Sequence, residues 1–275
     1  MLEVTEAPAA GVELVPARGS RLARASTMFL SRFGIFVLVL VAWWVIAELE
    51  LFDRSIVATP SSVLSALGNQ WSTLAPQLVT TVVEIIIALA IGWGLGLALG
   101  CLLGGVRRLW SLLGFVRAAY AFPLIVIFPI LTVWFGYGSL GKILFGALAC
   151  IVPMTLMTAS AVMTVDRTII VLLRSMGASR LQLAYKGIIP ASMSGVIGAL
   201  RLSGSFALVS VVVGEMLVST RGLGSWIANS AEAFETPNVY LGICIVVVMA
   251  AILQGLIVLI EVVTVPSARP ATRRR

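Results

Sequence analysis

Long apolar runs separated by short polar segments dominate the chain. Crossing a bilayer takes about 20 apolar residues in a helix, and uncharged runs of that length cover residues 85–106, 118–141, 143–165 and 236–260. Residues 191–218 form a similar run that carries two charges, Arg201 and Glu215. We therefore predict an all-α integral membrane protein with six transmembrane helices, at about 30–50, 78–105, 112–135, 142–165, 191–218 and 237–262.

The first apolar run, residues 33–47, is open to two interpretations. Its length also suits the hydrophobic region of a secretory signal peptide. No small-residue cleavage site precedes the acidic Glu48 and Glu50. We therefore interpret the run as an uncleaved first span.

The basic residues predict the orientation of the spans. With the N-terminus inside, 15 of the 19 lysines and arginines fall on the cytoplasmic side, Arg201 lies in the membrane, and only Arg54, Lys142 and Arg221 lie outside. Such a bias indicates inward-facing basic loops. The basic residues behind the net charge of +7 thus orient the chain and face anionic lipid. No nucleic-acid partner is expected.

Composition supports the membrane class and excludes metal chemistry. Hydrophobic residues make up 60% of the chain and charged residues 11%, whereas soluble domains have about 25% charged residues. There is no histidine, and the three cysteines lie far apart inside apolar runs, so a metal site is not expected.

We predict a disordered cytoplasmic N-terminal tail (1–27), a membrane domain (28–265) and a basic cytoplasmic C-terminal tail (266–275).

Small residues and prolines mark particular spans. Gly92, Gly96, Gly100 and Gly104 recur every four residues, which places them in one stripe along a helix and predicts close packing against another helix. Prolines inside the third and fourth spans bend helices. Such bends suit a transport pathway, but kinked helices that only pack are equally compatible.

The segment 166–190, named here the coupling segment, is the longest predicted cytoplasmic connection and has helical patterning. Apolar residues recur at helical spacing up to Met176, and Gly177 is placed to end that helix. Ser179 and Gln182 fit a capping box that starts a second helix, and Pro190 suits the start of a third. The pattern predicts two short amphipathic helices that meet at a corner and bind either a protein groove or the membrane surface.

The coupling segment also resembles the EAA loop of binding-protein-dependent ABC importer permeases. The resemblance rests on Gly177, Ile189 and Pro190, and the spacing of 13 between the glycine and the proline is that of the family. Val171-Leu172-Leu173 replaces the family's Glu-Ala-Ala, so a salt bridge from that glutamate is not expected. On this resemblance, contact with the ATPase is expected from Leu173, Arg174, Ser175, Met176, Gly177, Ala178, Ser179, Arg180, Gln182 and Pro190.

Further motifs resemble the sulfonate, taurine and nitrate subfamily of these permeases over about residues 35–262. They are Thr59-Pro60-Ser61-Ser62-Val63-Leu64, Phe122-Pro123, Phe128-Pro129, Trp134-Phe135-Gly136-Tyr137-Gly138, Arg201-Leu202, Gly214-Glu215-Met216-Leu217 and Gly222-Leu223-Gly224. Glu84 departs from the subfamily, which usually has a basic or small residue there. The C-terminus also lacks the subfamily's aromatic and basic ending.

The resemblance implies a non-catalytic permease subunit in the bacterial inner membrane, with both termini cytoplasmic. It implies two ATP-binding cassette ATPases that dock on the coupling segment, a second permease subunit, identical or homologous, and an extracytoplasmic solute-binding protein. ATP and Mg²⁺ would be bound by the ATPases, and this chain would hold no cofactor. The expected cargo is a small organic or inorganic anion, such as a sulfonate, taurine or nitrate.

Several residues are candidates for lining the translocation pathway. Ionisable residues at membrane depth cost free energy, and for that reason they are candidates for a functional role. Glu84 lies where it could meet Lys142 or Arg221. For Glu84, Arg201 and Glu215, a structural role and contact with the substrate are both open. The pathway candidates are Pro123, Pro129, Ser203, Ser205, Ser210 and Glu215.

Two other functions compete with the permease interpretation. An ion-coupled secondary transporter would often show inverted repeats, and no convincing repeat relates residues 30–135 to 142–262. An intramembrane enzyme would need a catalytic group, and the spans offer neither histidine nor an acidic pair close in sequence.

Overall fold

The computed structural model describes residues 34, 38–49, 53 and 55–264. It divides into two compact units, Met1–Pro60 and Ser61–Arg275. The predicted tails, 1–27 and 266–275, lie outside the described residues. So does much of the predicted first span, of which the described part is an apolar helix, α1, at Leu38–Glu48.

Helices also form nearly all of the described part of the second unit. In chain order they are α2 (Pro60–Gly105), α3 (Leu113–Ala121), α4 (Phe128–Phe135), α5 (Ser139–Met163), α6 (Arg167–Ser175), α7 (Arg180–Leu183), α8 (Ile189–Val218), α9 (Leu223–Glu232) and α10 (Thr236–Thr264). Short 3₁₀ helices precede α3 and α4, at Arg107–Leu112 and Leu124–Ile127. A π-helical turn at Ala184–Ile188 precedes α8.

The all-α membrane architecture is confirmed, whereas the number of six spans stays a prediction. Among the described residues, four helices are long and apolar enough to cross a membrane, and a bent pair of segments, Arg107–Ala121 with Leu124–Phe135, is a fifth candidate. These five correspond to the second through sixth predicted spans. The described part of α1 is too short to span a bilayer alone.

The helix that contains the second predicted span extends beyond it toward the N-terminus. Helix α2 begins at Pro60 rather than near residue 78, so it measures about 69 Å at 1.5 Å per residue. Proline suits the first turn of a helix, where its missing N–H is not needed. The hydropathy pattern located only the apolar part of this helix, because it responds to lipid burial and not to backbone conformation.

Pro123 breaks the third span. The segments on its two sides are bent by 80°, and Phe122 adopts an extended conformation with φ −76° and ψ 130°. A residue before proline is disfavoured in the helical region, so the sequence accounts for the break. Pro129, by contrast, lies in the first turn of α4 and bends nothing.

The glycine stripe of α2 packs against α5. A Cβ added at Gly92 would lie 2.5 Å from Cys150 Cβ, and one at Gly96 would lie 2.6 Å from Met154 Cβ. Helix α5 also packs against α8 in a core that includes Cys150, Ala207 and Val211. Helix α5 thus lies at the centre of these contacts. The coupling segment follows one end of α5, and a buried polar cluster lies at the other end.

Candidate functional site

The coupling segment begins and ends its first helix with local caps. The Asp166 carboxylate accepts a hydrogen bond from Thr168 N at 2.8 Å, which holds the pKa of Asp166 below its usual range. At the other end of α6, Gly177 has φ +77°. Its N–H donates to Arg174 O at 2.9 Å, and Ala178 N–H donates to Leu173 O at 3.0 Å. This pair of bonds is a Schellman motif, so the predicted corner at Gly177 is confirmed.

The second helix begins with the predicted capping box. The Ser179 hydroxyl accepts from Gln182 N at 3.3 Å, and Gln182 Oε1 accepts from Ser179 N at 2.9 Å. The expectation of a separate short helix is wrong, however. Residues Arg180–Val218 form one helical stretch, through the π-helical turn and with Pro190 in the first turn of α8. Pro190 ends no helix because, as N1 or N2, its missing N–H is tolerated.

The coupling segment presents an apolar outer face. Met176, Leu181 and Tyr185 are 74%, 77% and 74% exposed. Leu173 instead points inward, since a Cβ added at Gly187 would lie 2.6 Å from Leu173 Cδ1. The sequence therefore predicted the corner but not which side chains point outward. Leu181 and Tyr185 are not among the residues predicted to contact the ATPase, and that contact stays a prediction.

Most other predicted coupling residues share this outer surface. Arg174, Ser175, Gly177, Ser179, Arg180, Gln182 and Pro190 are exposed, and Ala178 is partly buried. Two of these exposed residues, Arg174 and Arg180, are cations. The surface thus combines apolar side chains with positive charge.

A buried polar cluster lies at the opposite end of α5. The carboxylate of Glu215, which has no exposed surface, accepts from Thr81 Oγ1 at 2.7 Å and from Gly224 N at 2.8 Å. The Thr81 hydroxyl accepts from Leu223 N at 2.7 Å. Gln77 Oε1 accepts from Gly222 N at 2.7 Å. Glu215 therefore holds the turn before α9 against α2.

An ion pair completes the polar cluster. Lys142 Nζ lies 2.7 Å from Glu84 Oε1, and both side chains are almost fully buried. Lys142 also donates to Ser219 Oγ at 2.9 Å and to Arg221 O at 3.3 Å. The prediction that Glu84 meets Lys142 or Arg221 is thus confirmed for Lys142. The three ionisable side chains, together with Thr81, face one another across α2, α5 and α8.

Two glycines fit closely over Glu215. Gly222 has φ +110°, and a Cβ there would overlap the Glu215 carboxylate. A Cβ at Gly224 would overlap Val212 O. The motif Gly222-Leu223-Gly224 is therefore explained by close approach of the turn to α8, a relation that the sequence alone does not contain.

The pathway candidates do not come together in one place. Ser203 is buried and donates to Ala199 O at 2.7 Å while accepting from Trp93 Nε1 at 3.1 Å. Ser205 accepts from Gln254 Nε2 at 2.8 Å. Only Ser210 lines a cavity, together with residues on both sides of Pro123. Pro129 lies in the first turn of α4 and is not part of the cavity lining, and Glu215 belongs to the polar cluster.

The cavity lies between the broken third span, α5 and α8, and has a volume of about 250 Å³. Its lining is apolar apart from Ser210 and the Tyr120 hydroxyl, and includes Phe122, Phe145 and Phe206. Sequence reasoning missed the aromatic lining, because aromatic residues are scattered throughout the apolar runs.

The amino-acid sequence of this chain is similar to those of transport permeases. The sequence profile of the family described as binding-protein-dependent transport system inner membrane component matches residues 90–264. The taurine transport system permease protein TauC of Escherichia coli K12 is 27% identical over 229 residues, covering 80% of this chain and 83% of TauC. The formylaminopyrimidine transport permease protein ThiX of Halalkalibacterium halodurans is 26% identical over 208 residues, covering 75% and 83%.

Solved structures agree on the fold. A chain of the MetNI methionine ABC transporter in an inward-facing conformation superposes with a TM-score of 0.60 at 17% identity, covering 70% of this chain and 95% of that chain. The secondary-transporter and enzyme interpretations have no counterpart in these matches. Since the family profile covers well over half of the sequence, the chain belongs to the family of binding-protein-dependent transport system inner membrane components and is an ABC importer permease.

Proposed function

We propose that this permease forms half of the translocation pathway for a small solute, together with a second permease subunit that is identical or homologous. Among the described residues, the broken third span, α5 and α8 border a cavity, which supports a pathway completed by a second subunit. Both termini and the coupling segment would face the cytoplasm, in line with the bias of basic residues. The polar cluster, at the other end of α5, would then lie on the outer side.

The outer face of the coupling segment is the proposed docking site for two ATP-binding cassette ATPases, one on each permease. The single observation that carries this proposal is the exposed apolar set Met176, Leu181 and Tyr185 on a rigidly capped corner. Exposed apolar side chains on an amphipathic helix fit a hydrophobic groove of a partner. ATP and Mg²⁺ would be bound by the ATPases, and this chain would carry neither.

Coupling would run through one continuous helix. Since Arg180–Val218 is helical throughout, movement of the docked corner would pass directly into α8, which borders the cavity. ATP binding would thus shift the permease pair between inward-open and outward-open states. The ATPase would supply the energy, and the permease pair would be the two-state element.

The cargo would reach the outer side on an extracytoplasmic solute-binding protein. We propose a small organic or inorganic anion as cargo, and the names of similar permeases for taurine and aliphatic sulfonates support a sulfonate-bearing solute. Another similar permease is named for a formylaminopyrimidine, which is a ring compound. Sulfonates, taurine and nitrate are the candidates that the sequence resemblance provides, and the lining of the cavity narrows them below.

Affinity purification of the tagged chain in mild detergent, followed by an ATPase assay, tests the docking proposal. We expect a co-purifying ATPase that Met176→Glu and Leu181→Glu remove, because a charge in an apolar groove loses its hydration. Tyr137→Glu, at a 70% exposed position near the other end of α5, is the control and should leave the ATPase bound. Equal retention in all variants would contradict the docking site.

Gly177→Val tests the corner itself. Valine is strained at φ +77°, so the corner should shift and ATPase binding or coupled transport should fall, while membrane insertion is unchanged. Normal ATPase binding together with normal transport would overturn this role of Gly177.

A further inference from the structure

The cavity between α3, α5 and α8 has the features of a solute site rather than of a lipid-facing groove. Phe122 and Leu124, on either side of Pro123, line it, and so does Pro153 of α5. The helix break leaves irregular backbone at this point. Within a membrane such backbone is tolerated only where it is buried in protein or lines a water-filled cavity. The break therefore indicates that the cavity opens onto protein or an aqueous pathway.

The chemistry of the lining is aromatic. Tyr120 from α3 and Phe206 from α8 meet edge to face, with ring centroids 6.3 Å apart. Phe145 adds a third ring and packs on Phe128 at 4.9 Å. Among the described residues that line the cavity, the polar side chains are Ser210 and Tyr120. Such a surface favours an apolar, ring-bearing ligand through burial and aromatic contacts.

None of the described residues that line the cavity is charged. Two basic side chains at membrane depth, Lys142 and Arg201, already have carboxylate partners, and Arg117 of α3 lines a different cavity together with Leu113 and Met163. Lys142 pairs with Glu84 in the polar cluster, and Arg201 pairs with Glu261 at 2.7 Å. A small inorganic anion would lose its hydration in this cavity and gain no opposite charge. The lining therefore disfavours nitrate as a ligand.

The volume fits a single substituted ring. An apolar cavity of about 150 Å³ takes up benzene, and this cavity has a volume of about 250 Å³. A ring would fill most of it, and a charged substituent would remain toward the mouth, where Tyr120 and Phe122 are partly exposed.

We propose that this cavity binds the ring-bearing part of an organic solute, so that the natural cargo is an aromatic or heteroaromatic compound rather than nitrate or a short-chain sulfonate. The inference rests on the proposed import function and narrows its substrate class. It assigns recognition of the ring to the permease, whatever the external binding protein selects.

Calorimetric binding to the purified full chain, with its co-purifying partners, tests the proposal using three anionic probes. Benzenesulfonate and methanesulfonate carry the same charged group and differ by the ring, and nitrate has no organic part. We expect benzenesulfonate to bind about tenfold or more tightly than methanesulfonate, through burial of the ring, and nitrate not to bind. Absent binding of benzenesulfonate, or equal binding of methanesulfonate, overturns the proposal.

Cavity-filling variants locate the site. Ala149→Leu on α5 and Ser210→Leu on α8 both enlarge lining residues, and each should abolish the preference for benzenesulfonate. Ala251→Leu enlarges an exposed residue of α10 by the same amount and should leave binding unchanged. Ring preference that survives both filling variants overturns the assignment. If one variant misfolds, the other and the three-probe comparison still decide.

The assay separates this proposal from the proposed function. Loss of ATPase co-purification with intact ring binding would contradict the docking site alone. A functioning ATPase complex without ring preference would contradict the cavity assignment alone.

Discussion

Single residues in this permease matter most where backbone or charge is enclosed. Gly177 and Gly222 both adopt positive φ, but the space around them differs, since Gly177 is open and Gly222 lies against Glu215. Lys142 and Glu84 form a buried pair, whereas Arg201 and Glu261 are paired on the surface of the chain. Each difference changes the expected cost of substitution.

Gly222→Ala should destabilise the protein more than Gly136→Ala. Both glycines have positive φ, and Gly136 has no atom within 4 Å of an added Cβ. Gly136→Ala should therefore cost about 1 kcal/mol of backbone strain, and Gly222→Ala about 3 kcal/mol because overlap with Glu215 adds to the strain. The apparent Tm in mild detergent measures both. Equal Tm values for the two variants would show that the turn yields without cost.

Lys142→Met should destabilise strongly, and Glu84→Gln should recover part of the loss. Removing Lys142 leaves the Glu84 carboxylate buried without its cation, which costs about 3–5 kcal/mol for buried pairs. In the double variant no charge of that pair remains unpaired. A double-mutant cycle on apparent Tm gives the coupling, and additive effects of the two substitutions would contradict a direct pair.

At the scale of helices, close approach and breaks determine the packing. Four glycines allow α2 to contact α5, and Pro123 divides the third span where the cavity forms. The glycine stripe predicted a buried helix face, and the structure adds that α5 is the partner. The helical identity of α6 and α7 follows from local caps, since each cap joins residues within five positions.

Gly96→Ala should weaken the contact between α2 and α5, whereas Gly94→Ala should not. The two positions share one helix, but a Cβ at Gly96 would lie 2.6 Å from Met154 Cβ and one at Gly94 has open space. We expect a loss of about 1–3 kcal/mol from overpacking at Gly96, and little change or slight stabilisation at Gly94 from helix propensity. Apparent Tm again provides the measurement, and a tolerated Gly96→Ala would contradict close packing.

At the scale of the whole molecule, two polar regions lie at opposite ends of α5. Lys142 and Met163 are separated by about 32 Å along the helix, close to the thickness of the hydrocarbon core. We therefore expect the coupling segment on one side of the membrane and the polar cluster near the other. Six spans would place the N-terminus on the side of the coupling segment, and five would place it opposite.

Cysteine labelling distinguishes these topologies. In a chain with Cys101, Cys150 and Cys244 replaced by alanine, we would introduce Ser20→Cys, Tyr137→Cys and Ser179→Cys singly. A membrane-impermeant maleimide should label Tyr137→Cys in spheroplasts, and Ser20→Cys and Ser179→Cys in inverted vesicles, as the positive-inside rule predicts. Labelling of Ser20→Cys in spheroplasts would leave an odd number of spans and contradict the six-span prediction.

The sequence by itself determined the membrane class, the coupling segment and its caps, and the family resemblance. These depend on hydropathy and on spacings of a few residues, which a sequence contains directly. The corner at Gly177 and the helix break at Pro123 likewise follow from the local conformational preferences of glycine and proline. Only the tertiary structure decided that α2 packs on α5 and that Leu173 points inward while Leu181 and Tyr185 point out. It also decided that Glu215 meets Thr81 from 134 residues away and that aromatic residues from separate helices line one cavity. Those contacts join distant parts of the chain, and helical periodicity specifies a face without specifying its partner.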